Sequence, residues 1–210
     1  MRGQSRCGSP DPQPVISRGH VSQLVWVKDE FRRITAANLE RTSLTKLDFY
    51  TPNLLTVFEM KGGAAGTKTR CRLDSLGQEG RRDAVIRCLI HFLGESCEEL
   101  IKDYQDLSKG RIKDSFVDLV MKIIVLASAA AEEGAAPDSV IIVIEGTEVL
   151  DGCRNLSDAC LLLMGLIYSL NLSSPPKLRS TFEVFQKVLL ELDVLRFSPK
   201  VHSLERKLLM

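Results

Sequence analysis

The stretch VIIVIEGTEVLDGCRNLSDACLLLMGLIYSLNLSSPPKLRSTFEVFQKVLLELD, residues 140–193, decides the fold. Residues 140–144 are a short β-branched run bounded by turn formers, which reads as a strand. Glu145-Gly146 reads as a tight turn into a further strand over 147–150. That turn is weaker than Asn-Gly, because glutamate does not favour φ > 0. Asn155 to Ser157 offer N-cap candidates for DACLLLMGLIYSLNL, a segment apolar all round that has to be enclosed on most sides. Gly165 in its middle costs roughly 1 kcal/mol of helix propensity relative to alanine. A mid-helix glycine of this kind predicts a second element crossing close by. Ser174-Pro175 reads as a helix restart, with an N-cap serine and proline at the first position. Phe182, Phe185, Val188, Leu189 and Leu192 then share one face, and Gln186, Lys187 and Glu191 mark the wet side. Ser198-Pro199 repeats the start signal before Val201, Leu204 and Leu208.

Working back from this stretch, residues 120–127 (VMKIIVLA) read as another strand. The connection SAAAEEGAAPDS reads as a flexible linker. Val85, Ile86, Leu89, Ile90 and Leu93 make a helical stripe that ends at Gly94. Ser96 with Glu99 has capping-box spacing and predicts a further helix, whose apolar face is Leu100, Ile101 and Tyr104. Residues 62–80, GGAAGTKTRCRLDSLGQEG, read as a basic, glycine-rich loop. Before it, residues 24–61 carry helical spacing in pieces: Phe31 with Ile34, Leu44 with Leu47, and Leu54, Leu55, Val57 and Phe58. Thr51-Pro52 reads as a helix start and Gly62-Gly63 as its stop. Residues 1–20 are rich in Gly, Pro, Ser and Arg, and read as a disordered tail.

The expected fold class is therefore α+β, mainly helical. A small two- or three-stranded sheet packs with a buried central helix and amphipathic helices. The core domain is expected over 81–210. Residues 24–61 are a helical appendage, either docked on that core domain or the remnant of a truncated domain.

Composition bounds the function classes. With 210 residues, 44% hydrophobic and 26% charged, the chain has enough apolar content for a sizeable core. A net charge of +1 gives no global field toward nucleic acid or anionic membrane. The longest apolar run, residues 159–170, is shorter than the roughly 20 residues a membrane span needs, so no membrane partner is expected. Six cysteines without CxxC spacing, behind an N-terminus with no apolar signal region, read as reduced thiols in the cytoplasm or nucleus.

No catalytic, cofactor or metal constellation stands out. GGAAGTKT (62–69) resembles a phosphate loop, but Thr67 separates Gly66 from Lys68, and the preceding segment reads as helix. Cys88, His91 and Cys97 lack the fourth ligand of a structural zinc site. The three histidines, His20, His91 and His202, form no triad pattern. The acid pairs Glu98-Glu99 and Glu132-Glu133 fit a helix start and a solvated loop. Over 61–82, Lys61, Lys68, Arg70, Arg72, Arg81 and Arg82 stand against Asp74 and Glu79, six minus two, or +4. A loop of that charge can contact phosphates, and Lys68, Arg70, Arg72, Arg81 and Arg82 are the candidate nucleic-acid residues. No aromatic residue is interleaved to stack bases, so a solvated loop is the simpler account.

Several blocks resemble a multicopy vertebrate family whose members are often labelled sterile alpha motif domain-containing protein 3-like. They are EFRRIT (30–35), KLDFYTPNLLTVFEMKGGAAGTK (46–68), RRDAVIRCLIHFLGES (81–96), VIIVIEGTEVLDG (140–152), LLLMGLIYSLNLSSPPKLRSTFEVFQKVLLELD (161–193) and SPKVHSLERKLL (198–209). The resemblance implies further sequence upstream in such family members and offers no catalytic residue to carry over. The expected function is a non-enzymatic interaction or scaffold module with a protein partner. The alternative is nucleic-acid association through residues 61–82, with a mobile-element origin.

Overall fold

The structure, a computed structural model, describes residues 20–74, 76–105, 112–128 and 137–209. Among these are six α-helices and four strands. In chain order they are α1 (His20–Thr35), α2 (Leu39–Asp74), α3 (Gln78–Phe92), β1 (Ile101–Gln105), β2 (Met121–Ala127), β3 (Ser139–Ile144), β4 (Thr147–Leu150), α4 (Leu156–Ser169), α5 (Arg179–Val184) and α6 (Pro199–Leu208). The fold is α+β and mainly helical, as expected, but the mixed sheet has four strands rather than two or three.

The added strand is β1, from the segment read as a helix behind a capping box. Ser96 makes no side-chain cap, and Cys97–Glu99 form one 3-10 turn. The chain then extends and pairs parallel with β2, Ile101 opposite Ile123. The partner lies about twenty residues ahead, so nothing local announces the strand. β2 and β3 pair antiparallel, with Ile124 opposite Ile141, and β3 and β4 pair antiparallel, giving the order β1-β2-β3-β4.

Alternation along β2 and β3 gives the sheet two buried faces. Met121, Ile123, Val125, Val140 and Ile142 join the main core with the helices. Ile124, Leu126, Ile141 and Val143 face the other way, under Ile112 and Phe116 of the β1–β2 crossover. The β3–β4 turn is the expected one. Ile144 pairs with Thr147, and Glu145 and Gly146 have φ of 48° and 72°. A Cβ on Gly146 would stand 3.1 Å from the Val117 carbonyl oxygen. Glu145 is exposed and strained, since a non-glycine residue at positive φ costs on the order of 1 kcal/mol or more. Glu145→Asn, which tolerates this region, is expected to stabilise the protein by about 0.5–1 kcal/mol. A higher urea midpoint with an unchanged slope would show it. An unchanged midpoint would mean that the turn carries no strain.

The central helix α4 is buried from Leu156 through Leu166. Asn155 is its N-cap and accepts from the Asp158 N–H at 2.9 Å. Asp83 of α3 accepts from the Leu156 and Ser157 N–H groups at 3.1 and 2.8 Å. Burial pushes the Asp83 carboxyl up, and the bonds from Ser157 and Leu156 pull it part of the way back. At Gly165 the predicted close crossing is there. A Cβ would lie 2.6 Å from Val27 Cγ1 of α1 and 2.9 Å from Leu39 Cδ2 of α2.

Residues 24–61 are therefore not peripheral. Val27, Phe31, Leu39, Leu47 and Leu54 belong to the same buried cluster as α4. Lys28 and Arg154 both bond Glu40, tying α1, α2 and the α4 approach together. Neither predicted break in α2 occurs. Pro52 lies inside the helix, and the Thr51 hydroxyl donates to the Leu47 carbonyl at 2.7 Å. The helix passes through Gly62 and continues to Asp74, so the expected loop over 62–80 is helical to 74 and enters α3 at Gln78. Packing outweighs punctuation here: Leu47, Leu54, Leu55 and Val57 are all buried on one side of α2.

Of the expected disordered tail, residues 1–19 lie outside the described residues, and so do 129–136 of the linker. His20 already belongs to α1. Among the described residues no helix is long and apolar enough to cross a membrane.

Candidate interaction groove

The five candidate nucleic-acid residues fall on two consecutive helices. Lys68, Arg70 and Arg72 fall on α2, and their side chains lie outside the described residues. Arg81 and Arg82 are in the first turns of α3. Arg82 grips Asp48 through two bonds, Nε to Oδ1 at 2.7 Å and Nη2 to Oδ2 at 2.5 Å. Those bonds from Arg82 hold the Asp48 carboxyl below its usual range. Arg82 thus already has its carboxylate, and the basic stretch does not form a loop.

Among the described residues no three of His, Cys, Asp and Glu are grouped as a metal site. Cys88, Cys97, Cys153 and Cys160 are free thiols. Burial pushes Cys153 up to about 12 and Cys160 higher still, so both stay protonated at neutral pH.

A concavity lies elsewhere. A groove of about 730 Å³ opens between the ends of α1 and α4, helix α5, and the segment that leads into α6. Its floor is apolar: Met164, Ile167, Leu172, Phe182 and Phe197. Exposed Ile34, Arg179, Asp193 and Arg196 line its rim.

Local sequence explains the walls. The helix α4 ends with Asn171 at φ 50°, and Leu172 N–H closes back to the Ile167 carbonyl at 2.8 Å. The expected Ser174 cap is absent. Residues Pro176–Leu178 form a 3-10 turn, and α5 follows with no side-chain cap of its own. Glu95 supplies one from outside the helix. Its carboxylate accepts from Ser180 N, Thr181 N and Thr181 Oγ1 at 2.8, 3.0 and 2.6 Å. After Val184 the helix widens into a π turn, Phe185–Leu189, with Leu190 N–H on the Phe185 carbonyl at 3.0 Å. The predicted face persists through it. Phe182, Phe185, Val188 and Leu189 are buried, while Gln186 and Lys187 turn into the groove.

Lys187 then holds the segment leading into α6. Its ammonium donates to the Arg196 carbonyl, stands 3.4 Å from Glu183 and lies 5.8 Å from the Phe197 ring centroid. Glu183 also accepts from Ser198 N–H at 2.7 Å, at the start of α6. Burial raises the Glu183 carboxyl, but the Ser198 and Lys187 contacts outweigh it and hold the group below its usual range. Ser198 caps α6 as the sequence predicted, accepting from Val201 N–H.

Left-handed backbone collects on this side of the molecule. Of the five described non-glycine residues at positive φ, Asn171, Glu191 and Asp193 lie in or beside the groove. A π turn and left-handed non-glycine residues persist where surrounding structure enforces them, and both gather at functional sites. The segment they shape presents Leu195 at 89% exposure and Val194 at 46%, between the groove residues Asp193 and Arg196. An apolar floor with an apolar, charged rim is suited to holding an amphipathic segment. None of this was visible in the sequence, where Met164, Phe182 and Phe197 look like ordinary core positions. The one available signal was DVLRF (193–197), an apolar pair in a turn.

No family model matches the chain, and neither the curated proteins nor the solved structures give a match.

Proposed function

We propose that the protein is a non-catalytic interaction module that holds a segment of a partner protein in this groove. The observation that carries the proposal is the groove itself, which joins the apolar side chains Met164, Ile167, Leu172, Phe182 and Phe197 to an exposed charged rim, with Leu195, 89% exposed, in the chain between the lining residues Asp193 and Arg196. Exposed apolar side chains next to a concavity mark a contact site. Free, protonated thiols suit a cytoplasmic or nuclear setting.

The test is photocrosslinking in cells. A benzophenone amino acid at position 195 or 34 is expected to capture one discrete protein, and the same label at exposed Met60, on α2, is not. Leu195→Asp in the chain labelled at 34 is expected to abolish capture with no loss of thermal stability. Equal capture from all three positions, or none from 195 and 34, would overturn the proposal.

A further inference from the structure

The charges on the groove narrow what enters it, given the interaction role proposed above. Five charged side chains line it: Arg179, Glu183, Lys187, Asp193 and Arg196. Glu183 and Lys187 are paired with each other and bonded to the backbone of Ser198 and Arg196. They form part of the wall. Asp193 sits near Tyr168, whose hydroxyl is raised first by burial and then by that carboxylate. Arg179 and Arg196 remain. Both are exposed, and among the described residues neither guanidinium has a carboxylate partner.

We propose that the occupant is an acidic segment of a partner protein, with aliphatic or aromatic anchors on the Met164–Ile167–Phe182 floor and carboxylates on Arg179 and Arg196. A guanidinium accepts a carboxylate through two parallel bonds, which gives orientation as well as attraction. A basic segment would bring like charge against two unpaired arginines. The chain's own first eighteen residues carry Arg2, Arg6 and Arg18 against Asp11, three minus one, or +2. They have the wrong sign for the site, so that segment is not the occupant. The volume, about 730 Å³, suits a short segment with a few large side chains. The Glu95 cap and the Lys187 anchor fix both walls in advance, which lowers the ordering cost of binding.

The experiment is selection of a random 12-residue mRNA-displayed peptide library on the intact, immobilised chain. Enriched peptides are expected to carry Asp and Glu in excess of Lys and Arg around one to three large apolar residues. They should block crosslinking from position 195. Arg179→Glu with Arg196→Glu, both at exposed positions, should weaken their binding by about tenfold or more, with the melting temperature unchanged. Raising the salt should weaken wild-type binding and leave the double variant's residual binding little changed. Arg179→Lys with Arg196→Lys should retain part of the affinity. Enriched peptides that are neutral or basic, yet still block position 195, would overturn the charge assignment and leave the interaction groove standing. Acidic peptides indifferent to the double charge reversal would do the same. A library with no enrichment at all would overturn both.

Discussion

Phe31→Ala is expected to lower the stability of the whole chain, by about 3–5 kcal/mol, the range for removing a buried aromatic ring. For a chain of this length that corresponds to a fall in melting temperature of roughly 6–20 °C. Phe31 is 0% exposed, and its ring meets Tyr168 of α4 edge-on, with centroids 5.4 Å apart at 83°. The cavity would therefore open between α1 and the central helix, with Val27 and Leu39 beside it in the same cluster. The lone tryptophan, Trp26, sits on α1 and reports that helix, whereas far-UV circular dichroism reports the secondary structure of the whole chain. The two signals are expected to melt together in the wild type and to shift together in the variant. A tryptophan transition that moves alone would make α1 a separable appendage and would remove it from the core.

The sequence leaves open whether residues 24–61 dock on the core domain or are the remnant of a truncated one. The reason is specific. Thr51-Pro52 reads as a local start and Gly62-Gly63 as a local stop, and the apolar residues between them are too few to build a core. Their burial is decided by partners far along the chain: Asn53 Nδ2 donates to the Leu208 carbonyl at 2.7 Å, and Lys61 Nζ to the Phe92 carbonyl at 2.7 Å. β1 was hidden for a related reason, since only Ile101 of its five residues is fully buried and pairing with β2 makes it a strand. Where local chemistry and tertiary need coincide, the sequence was legible. Asn155 and Ser198 cap helices, Glu145-Gly146 turns a hairpin, Gly94 ends the segment after α3, and Val140 to Ile144 form a strand.

The groove was illegible for a different reason. Its residues run from Ile34 to Ser198, and none has a chemistry that stands out in a string. What distinguishes them is what they lack in space, such as a partner for the Arg179 guanidinium or a cover for Leu195. The basic stretch shows the converse. Six cations within 61–82 are conspicuous in a string, yet Asp48, thirteen residues before the stretch begins, takes up Arg82. Charge density along a sequence therefore does not show which cations are already paired, and apolar periodicity conceals where a core is left open.

Two glycine-to-alanine replacements inside helices are expected to act with opposite sign. Around Gly62 an added Cβ meets nothing within 4 Å, so Gly62→Ala should gain about 1 kcal/mol from helix propensity alone. Gly165→Ala has the same propensity gain available. Its Cβ, however, would stand 2.6 Å from Val27 Cγ1 and 2.9 Å from Leu39 Cδ2, well inside the ~3.5–4.0 Å of an ordinary carbon contact. Leu39 can swing its terminal methyl aside. Val27 is β-branched and buried, so relief there requires α1 to move off α4. Overpacking of that kind costs about 1–3 kcal/mol. The net expectation is a loss of up to about 2 kcal/mol, read as a lower urea midpoint, against the rise for Gly62→Ala. A double-mutant cycle separates this cause from any other. Val27→Ala alone destabilises by leaving a cavity, but in the Gly165→Ala background it vacates the space that the new methyl needs. The pair should be more stable than the sum of the single changes predicts, by about 0.5–3 kcal/mol. Additive effects would mean that the two helices do not cross at these atoms, and the cavity assigned to Phe31→Ala, one turn along α1, would lose its basis with them.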